Sequence, residues 1–457
     1  MGTIVVIPER RNERLLYGGL LISRIGGVMQ ALATGWQTYQ LTHSPFMVGL
    51  VAGLAVLPFA FLLIAGGMLS DRYTKSRIVF VTQSAGMILA LLFAALCFAG
   101  LITKEMLMML AFAGGIVNAL GTPAQKTLLM EASKQRSGAT IGIALFTEIL
   151  LSSGMMGAVC FGIIWQFTQE VAWIYSINAT TFVACVGSLA LVRYTTAPYI
   201  AHQESLTHSF LSGWQHVWHT EVRYLLVLTS MCTIAGFSSR ELLSVMANQV
   251  RSDARMLSLL VFSFTIGGYI ATRTLSGSLA RAVQRIRIRK MLVARALLVL
   301  ASSQMMMSLT LVSVRDGTLP FWVGVAYLVI GLACIGYSIT YTSVIVENMV
   351  MAHTPQSLWG RVNSISGMTF IISLFLGTMI LSFLSEKLSM SLGLVIFGTI
   401  SFTVGNKLEA QDRRARRTVG RSTSAIYFLV LKVLIVLGVV LLTLVLAIAF
   451  RKTQINT

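Results

Sequence analysis

The chain has 457 residues, of which 56% are hydrophobic and only 11% charged, and its mean hydropathy is +0.79. That balance excludes an ordinary soluble domain and points to a chain that lies mostly within a bilayer. A formal net charge of +19 would argue for nucleic acid in a soluble protein. Here the Lys and Arg residues sit mainly in short loops between apolar runs, so they read as cytoplasmic anchors and no nucleic-acid partner is expected.

In chain order, Arg10, Arg11 and Arg14 precede a first apolar run over 15–41. The turn Thr42-His43-Ser44-Pro45 carries no Lys or Arg, and a second run covers 45–69. Between it and the third run, 78–101, lies GGMLSDRYTKSR (66–77). Its glycines allow two helices to approach closely, and its charges, Asp71, Arg72, Lys75 and Arg77, can bridge helix ends in one state and release them in another. Further runs cover 106–129, 138–165 and 171–192, each long enough to cross about 30 Å of hydrocarbon at about 1.5 Å per residue.

The longest polar interval, 193–221, divides the chain near its middle. Leu206, Phe210, Trp214 and Trp218 recur every four residues, which predicts an amphipathic helix at the membrane surface. His202, His208, His216 and His219 also fall there, but no Cys or carboxylate joins them at a metal-ligand spacing, so an interfacial linker is the better reading and no metal or cofactor is expected. Six more runs follow, at 222–247, 256–279, 291–314, 321–346, 362–385 and 389–405. The basic loop 281–290 is introduced by Gly277-x-Leu279-x-Arg281, an echo of Gly67-x-Leu69-x-Asp71 in the corresponding loop of the first half. A last apolar stretch, 425–450, is interrupted only by Lys432 and is a candidate thirteenth span.

The expected organisation is therefore an all-α membrane protein: a six-helix bundle over 1–192, a cytoplasmic linker over 193–221, a second bundle over 222–408, a basic segment over 409–424, and an extra transmembrane helix with its tail over 425–457. Even-numbered loops carry most of the Lys and Arg, which puts them and the N-terminus in the cytoplasm. The five cysteines all lie inside apolar runs and read as small core residues. No nucleotide loop, HExxH or GxSxG is present, so an enzyme is not expected.

Gly67-x-Leu69-x-Asp71-Arg72 with Lys75 and Arg77 resembles the loop signature of the major facilitator superfamily. Arg24, the Leu41–Pro45 turn, Thr122-Pro123-Ala124, and Thr354-Pro355 with Gly360-Arg361-Val362-Asn363-Ser364 resemble its enterobactin-exporter and macrolide-efflux branch. The resemblance implies two six-helix bundles around a central cavity, alternating access, proton antiport in a bacterial inner membrane, and a monomer. Exporters of the superfamily carry Gly-Pro-x-x-Gly-Gly in span 5. This chain has Ser153-Gly154-Met155-Met156-Gly157-Ala158, in which the proline is absent and one glycine is replaced, while the glycine spacing still permits tight helix contact.

Ionisable residues inside spans are costly and so default to functional candidates. Arg24 lies ~13 Å and Glu148 ~15 Å along their helices. Because spans 1 and 5 run side by side in the superfamily fold, the resemblance implies that the two side chains can meet. Arg24, Gln37, Arg240 and Arg273 are the candidate substrate contacts, Glu148 and Glu241 the candidate proton sites, and Gly67, Asp71, Arg72, Lys75 and Arg77 the candidate switch. Several intramembrane arginines against few acids favour a small organic anion such as a siderophore. A lipophilic drug, or a non-transporting sensor or assembly factor on the same scaffold, are the alternatives.

Overall fold

The computed structural model describes residues 9–137, 139–192, 206–276, 286–355 and 358–417. Among these, every regular element is a helix, and twelve helical stretches are long and apolar enough to cross a membrane. The expected thirteenth span lies outside the described residues.

The first six spans are single helices: α1 Glu9–Thr42, α2 Pro45–Arg72, α3 Lys75–Phe98, α4 Lys104–Ser137, α5 Ala139–Thr168 and α6 Val171–Leu191. The linker helix α7, Leu206–His219, follows. Its Val217 is buried, while Trp214 and Trp218 stack at 5.9 Å and stay exposed. The turn between α1 and α2 is built by its own residues. His43 takes a positive φ of 51°, Ser44 caps α2 by accepting from the Met47 N–H at 3.2 Å, and Pro45 supplies a first-turn residue that needs no N–H partner.

Span 7 departs from the single run read in the sequence. It is divided into α8 Val222–Cys232, a π-helical turn Thr233–Phe237, α9 Ser238–Glu241 and α10 Leu243–Val250. A π-turn displaces the helical hydrogen-bond ladder, and a neighbouring helix fills the gap. Gln304 Nε2 donates to the Ala235 carbonyl at 2.5 Å, and Ser401 Oγ lies 3.5 Å from Gln304 Oε1. Spans 8 to 12 are α11 Ala254–Ser276, α12 Ile286–Arg315, α13 Phe321–Ala352, α14 Trp359–Lys387 and α15 Met390–Arg417.

The same pairing recurs in the first and last six spans. Within the first, α2 packs on α4 and α3 packs on α4 and α6; within the last, α11 packs on α13 and α12 packs on α13 and α15. The two sets meet along α2–α14 and α5–α11. Small residues set those contacts. Gly49 faces Ser382, Gly53 faces Phe375, Gly154 faces Thr265 and Gly162 faces Ser258. The core is apolar, with Phe93 stacked on Tyr175 at 4.8 Å and Trp36 edge-on to Trp165 at 5.8 Å.

Candidate functional site

Arg24 is half-buried near the middle of α1, and its partners come from α4. Its guanidinium donates to Thr122 Oγ1 at 3.0 Å and Gln125 Oε1 at 2.7 Å, and lies 5.8 Å from the centre of the Phe146 ring of α5. All three partners are neutral. They hold the planar fork in one orientation, and no carboxylate among the described residues pairs with its charge. Thr122 belongs to the Thr-Pro-Ala element singled out in the sequence; Gln125, one residue past it, was missed.

Other α1 polar side chains form a seam against α3 and α6. Ser23 donates to Gln83 at 2.6 Å, Asn178 donates to Gln30 at 2.5 Å, and Tyr175 donates to Gln37 Oε1 at 2.9 Å. Gln37 Nε2 lies 3.1 Å from Cys97 Sγ, so this buried amide is engaged on both sides within the first six helices.

Glu148 lies on α5 two residues beyond Phe146, but it is exposed and forms no ion pair with Arg24. Across from it on α1 is Tyr17, a neutral phenol. The expected Arg24–Glu148 contact is thus not made in this structure, because Thr122 and Gln125 take the guanidinium instead. Glu241 ends α9 and pairs loosely with its neighbour Arg240 at 3.5 Å, next to the break at Leu242. Arg273, near the end of α11, donates to Tyr269 Oη at 2.7 and 3.0 Å and is exposed. These residues lie on different helices and do not converge on Arg24 through any contact among those described.

Of the 66–77 stretch, Gly67, Asp71 and Arg72 fall in α2 up to its last turn, and their side chains lie outside the described residues. Lys75 starts α3 and pairs with Glu131 of α4 at 2.8 Å, fastening those two helix ends together. Arg77 is exposed.

At the end of the molecule opposite the N-terminus the two halves are tied by side chains that the sequence did not single out. Gln40 donates to Asn248 at 3.0 Å. Glu386 accepts from Ser44 Oγ at 2.7 Å and from the Phe46 N–H at 3.2 Å. Arg255 donates to Gln166 at 2.6 Å while paired with Asp253 at 2.7 Å. A cavity of about 400 Å³ lies beside this clasp, lined in part by Trp165, Arg251 and Asp253. Partial burial alone would raise the Asp253 carboxyl; the hydrogen bonds and charge of Arg255 outweigh it and hold the group below its ordinary value.

The chain matches the transmembrane secretion effector family over residues 10–447. It belongs to that family, and is a membrane transporter of the major facilitator superfamily. It is similar to the enterobactin exporter EntS of Escherichia coli O1:K1, at 24% identity over 90% of this chain and 95% of the relative. EntS of Escherichia coli O6:K15:H31 (strain 536) matches at the same identity and coverage. Among solved structures, the nucleoside transporter NupG aligns with a TM-score of 0.66 at 13% identity over 88% of this chain and 98% of its own. An auto-inhibited POT family peptide transporter aligns with a TM-score of 0.64 at 12% identity over 91% and 99%. These structures share the fold. The family match reaches past α15 into the last apolar stretch, so that stretch lies largely within what the family shares.

Proposed function

We propose that this transporter exports a small organic anion, carrying carboxylate or catecholate groups, by alternating access coupled to protons moving the other way. The membrane is a bacterial inner membrane and the N-terminus faces the cytoplasm, consistent with the basic loops. The observation that carries the reading is Arg24, a guanidinium at mid-helix oriented by Thr122, Gln125 and the Phe146 ring and paired with no described carboxylate. An uncompensated charge in a bilayer is costly, and an incoming anion is the counterion that repays its retention. The likeness to enterobactin exporters points to the same chemistry.

With the clasp at Gln40, Glu386 and Arg255 closed, the Arg24 site is loaded from the N-terminal side; release requires that clasp to part. Glu148 and Glu241 supply the titratable groups for proton exchange. In inside-out membrane vesicles, acidifying the lumen should drive uptake of a radiolabelled catecholate such as 2,3-dihydroxybenzoylserine, and Arg24→Gln should abolish that uptake at normal abundance. Vesicles that carry a neutral macrolide but not the catecholate would replace the anion reading with drug efflux. Vesicles that carry neither, from protein that is folded and abundant, would favour a sensor on the same scaffold.

A further inference from the structure

α4 presents a second cation that the reading above does not use. Asn118, Thr122 and Lys126 recur every four residues and so share one face, with neighbours about 6 Å apart. The Arg24–Thr122 hydrogen bond turns that face toward α1. Other sides of α4 are occupied: Gly121 lies against Thr82 of α3, Gly115 lies against Ala55 and Pro58 of α2, and Ala124, Leu128 and Leu129 are buried. Lys126 is half-buried, and no hydrogen bond or ion pair engages its ammonium among the described residues. Glu131, five residues on, is held by Lys75 at 2.8 Å. Glu148, on the adjacent helix, pairs with neither Arg24 nor Lys126.

We infer that Lys126 is the second anchoring cation of the Arg24 site, and that the transported anion carries two negative groups about one helical turn apart. This rests on the anion reading above. The two cations suit different jobs. The Arg24 fork is fixed and takes a planar carboxylate or chelate edge in two parallel hydrogen bonds, whereas the Lys126 ammonium is a point charge on a flexible stem that follows the second group. Asn118 completes the face: it is exposed, one of its two amide N–H groups goes to the Gly114 carbonyl at 3.0 Å, and its Oδ1 can accept a hydroxyl from the ligand.

The test uses the purified full-length protein in detergent with two probes that differ by one charge. Benzoate offers one carboxylate; benzene-1,3-dicarboxylate offers two at about the spacing of one helical turn. Wild-type protein should bind the dicarboxylate about tenfold or more tighter than benzoate. Lys126→Gln should bring the two within about threefold, Lys126→Arg should restore the preference, and Arg24→Gln should weaken both by tenfold or more. Size-exclusion profiles would show that the variants are folded, and the Lys126→Arg rescue separates lost charge from lost structure. Benzoate binding that depends on Arg24, with no preference for the dicarboxylate or a preference that survives Lys126→Gln, would overturn this inference alone and leave Lys126 as a cation reaching toward lipid headgroups. Binding of neither probe, or binding indifferent to Arg24, would overturn the anion reading and this one with it.

Discussion

At the scale of single residues, the way Arg24 is held decides what it can do. Gln125 is buried, and its 2.7 Å bond to the guanidinium is one to a charged group, worth about 1.5–3 kcal/mol. Gln125→Leu should free the fork to turn and raise the KM for an anion by about tenfold or more, with a smaller change in kcat, measurable by initial uptake rates in vesicles. A KM that stays within twofold would mean that Thr122 and Phe146 suffice. Glu148 stands apart from Arg24, so a role in proton coupling has its own signature: Glu148→Gln should abolish uptake driven by a pH gradient yet keep exchange of labelled for unlabelled anion. If gradient-driven uptake persists, the proton site lies elsewhere, with Glu241 next to examine. Arg24 was legible in the sequence because an arginine in the middle of an apolar run has no cheap explanation. Lys126 was not, for a physical reason: the apolar run stops near 129, which makes Lys126 look like a flank. The helix itself continues in polar residues to Ser137, so the lysine stands eleven residues inside it.

At the scale of elements, the glycines of α5 behave as their spacing predicted. An added Cβ at Gly157 would meet Val28 and the Ile25 carbonyl of α1, and one at Gly154 would meet Thr265 of α11. A paired substitution tests whether this contact matters for transport. Gly157→Leu should push α5 off α1 and abolish flux. Gly187→Ala, on α6 at a position where nothing stands within 4 Å, should leave flux intact and gain up to about 1 kcal/mol of helix propensity. Equal effects from the two would remove close packing as the cause. The broken span 7 was the element that sequence reading lost. Residues 222–247 form one apolar run, and the only local signal was the small and polar group Gly236, Ser238 and Ser239. What fixes the π-turn is not local at all, since it is the amide of Gln304, 69 residues away on α12. Gln304→Leu would leave the Ala235 carbonyl without that partner in the core, at a cost of about 1–3 kcal/mol. The expected result is a lower Tm together with faster amide exchange confined to 233–238. Faster exchange throughout the second half would instead mark Gln304 as a general packing residue.

At the scale of the whole molecule, the two sets of six helices are held together by named bonds at the end opposite the N-terminus. Under the alternating access proposed above, those bonds belong to one state and break once per cycle, so locking them should stop transport without harming the fold. Gln40 and Asn248 are 3.0 Å apart at their side-chain tips and come from different halves. In a variant whose five native cysteines are replaced, Gln40→Cys with Asn248→Cys and a short reducible bifunctional thiol reagent should join α1 to α10. The expected outcome is loss of anion flux with retained binding from the N-terminal side, reversed by reductant. Each single cysteine variant, treated identically, should keep its flux. Protonation offers a second route to the same clasp, and its sign follows from Asp253. Because its carboxyl sits below the ordinary value, the closed end draws stability from the ionised form, which is fully present above about pH 4 and is lost as pH falls through the depressed value. Flux between pH 5 and 8 should therefore owe none of its pH dependence to this pair. Asp253→Asn should instead loosen Arg255 from Gln166 at every pH and raise the reactivity of a cysteine placed at Gln166. If the cross-linked protein transports at the wild-type rate, the halves do not part at this end, and the clasp is a static seam in a molecule that opens elsewhere.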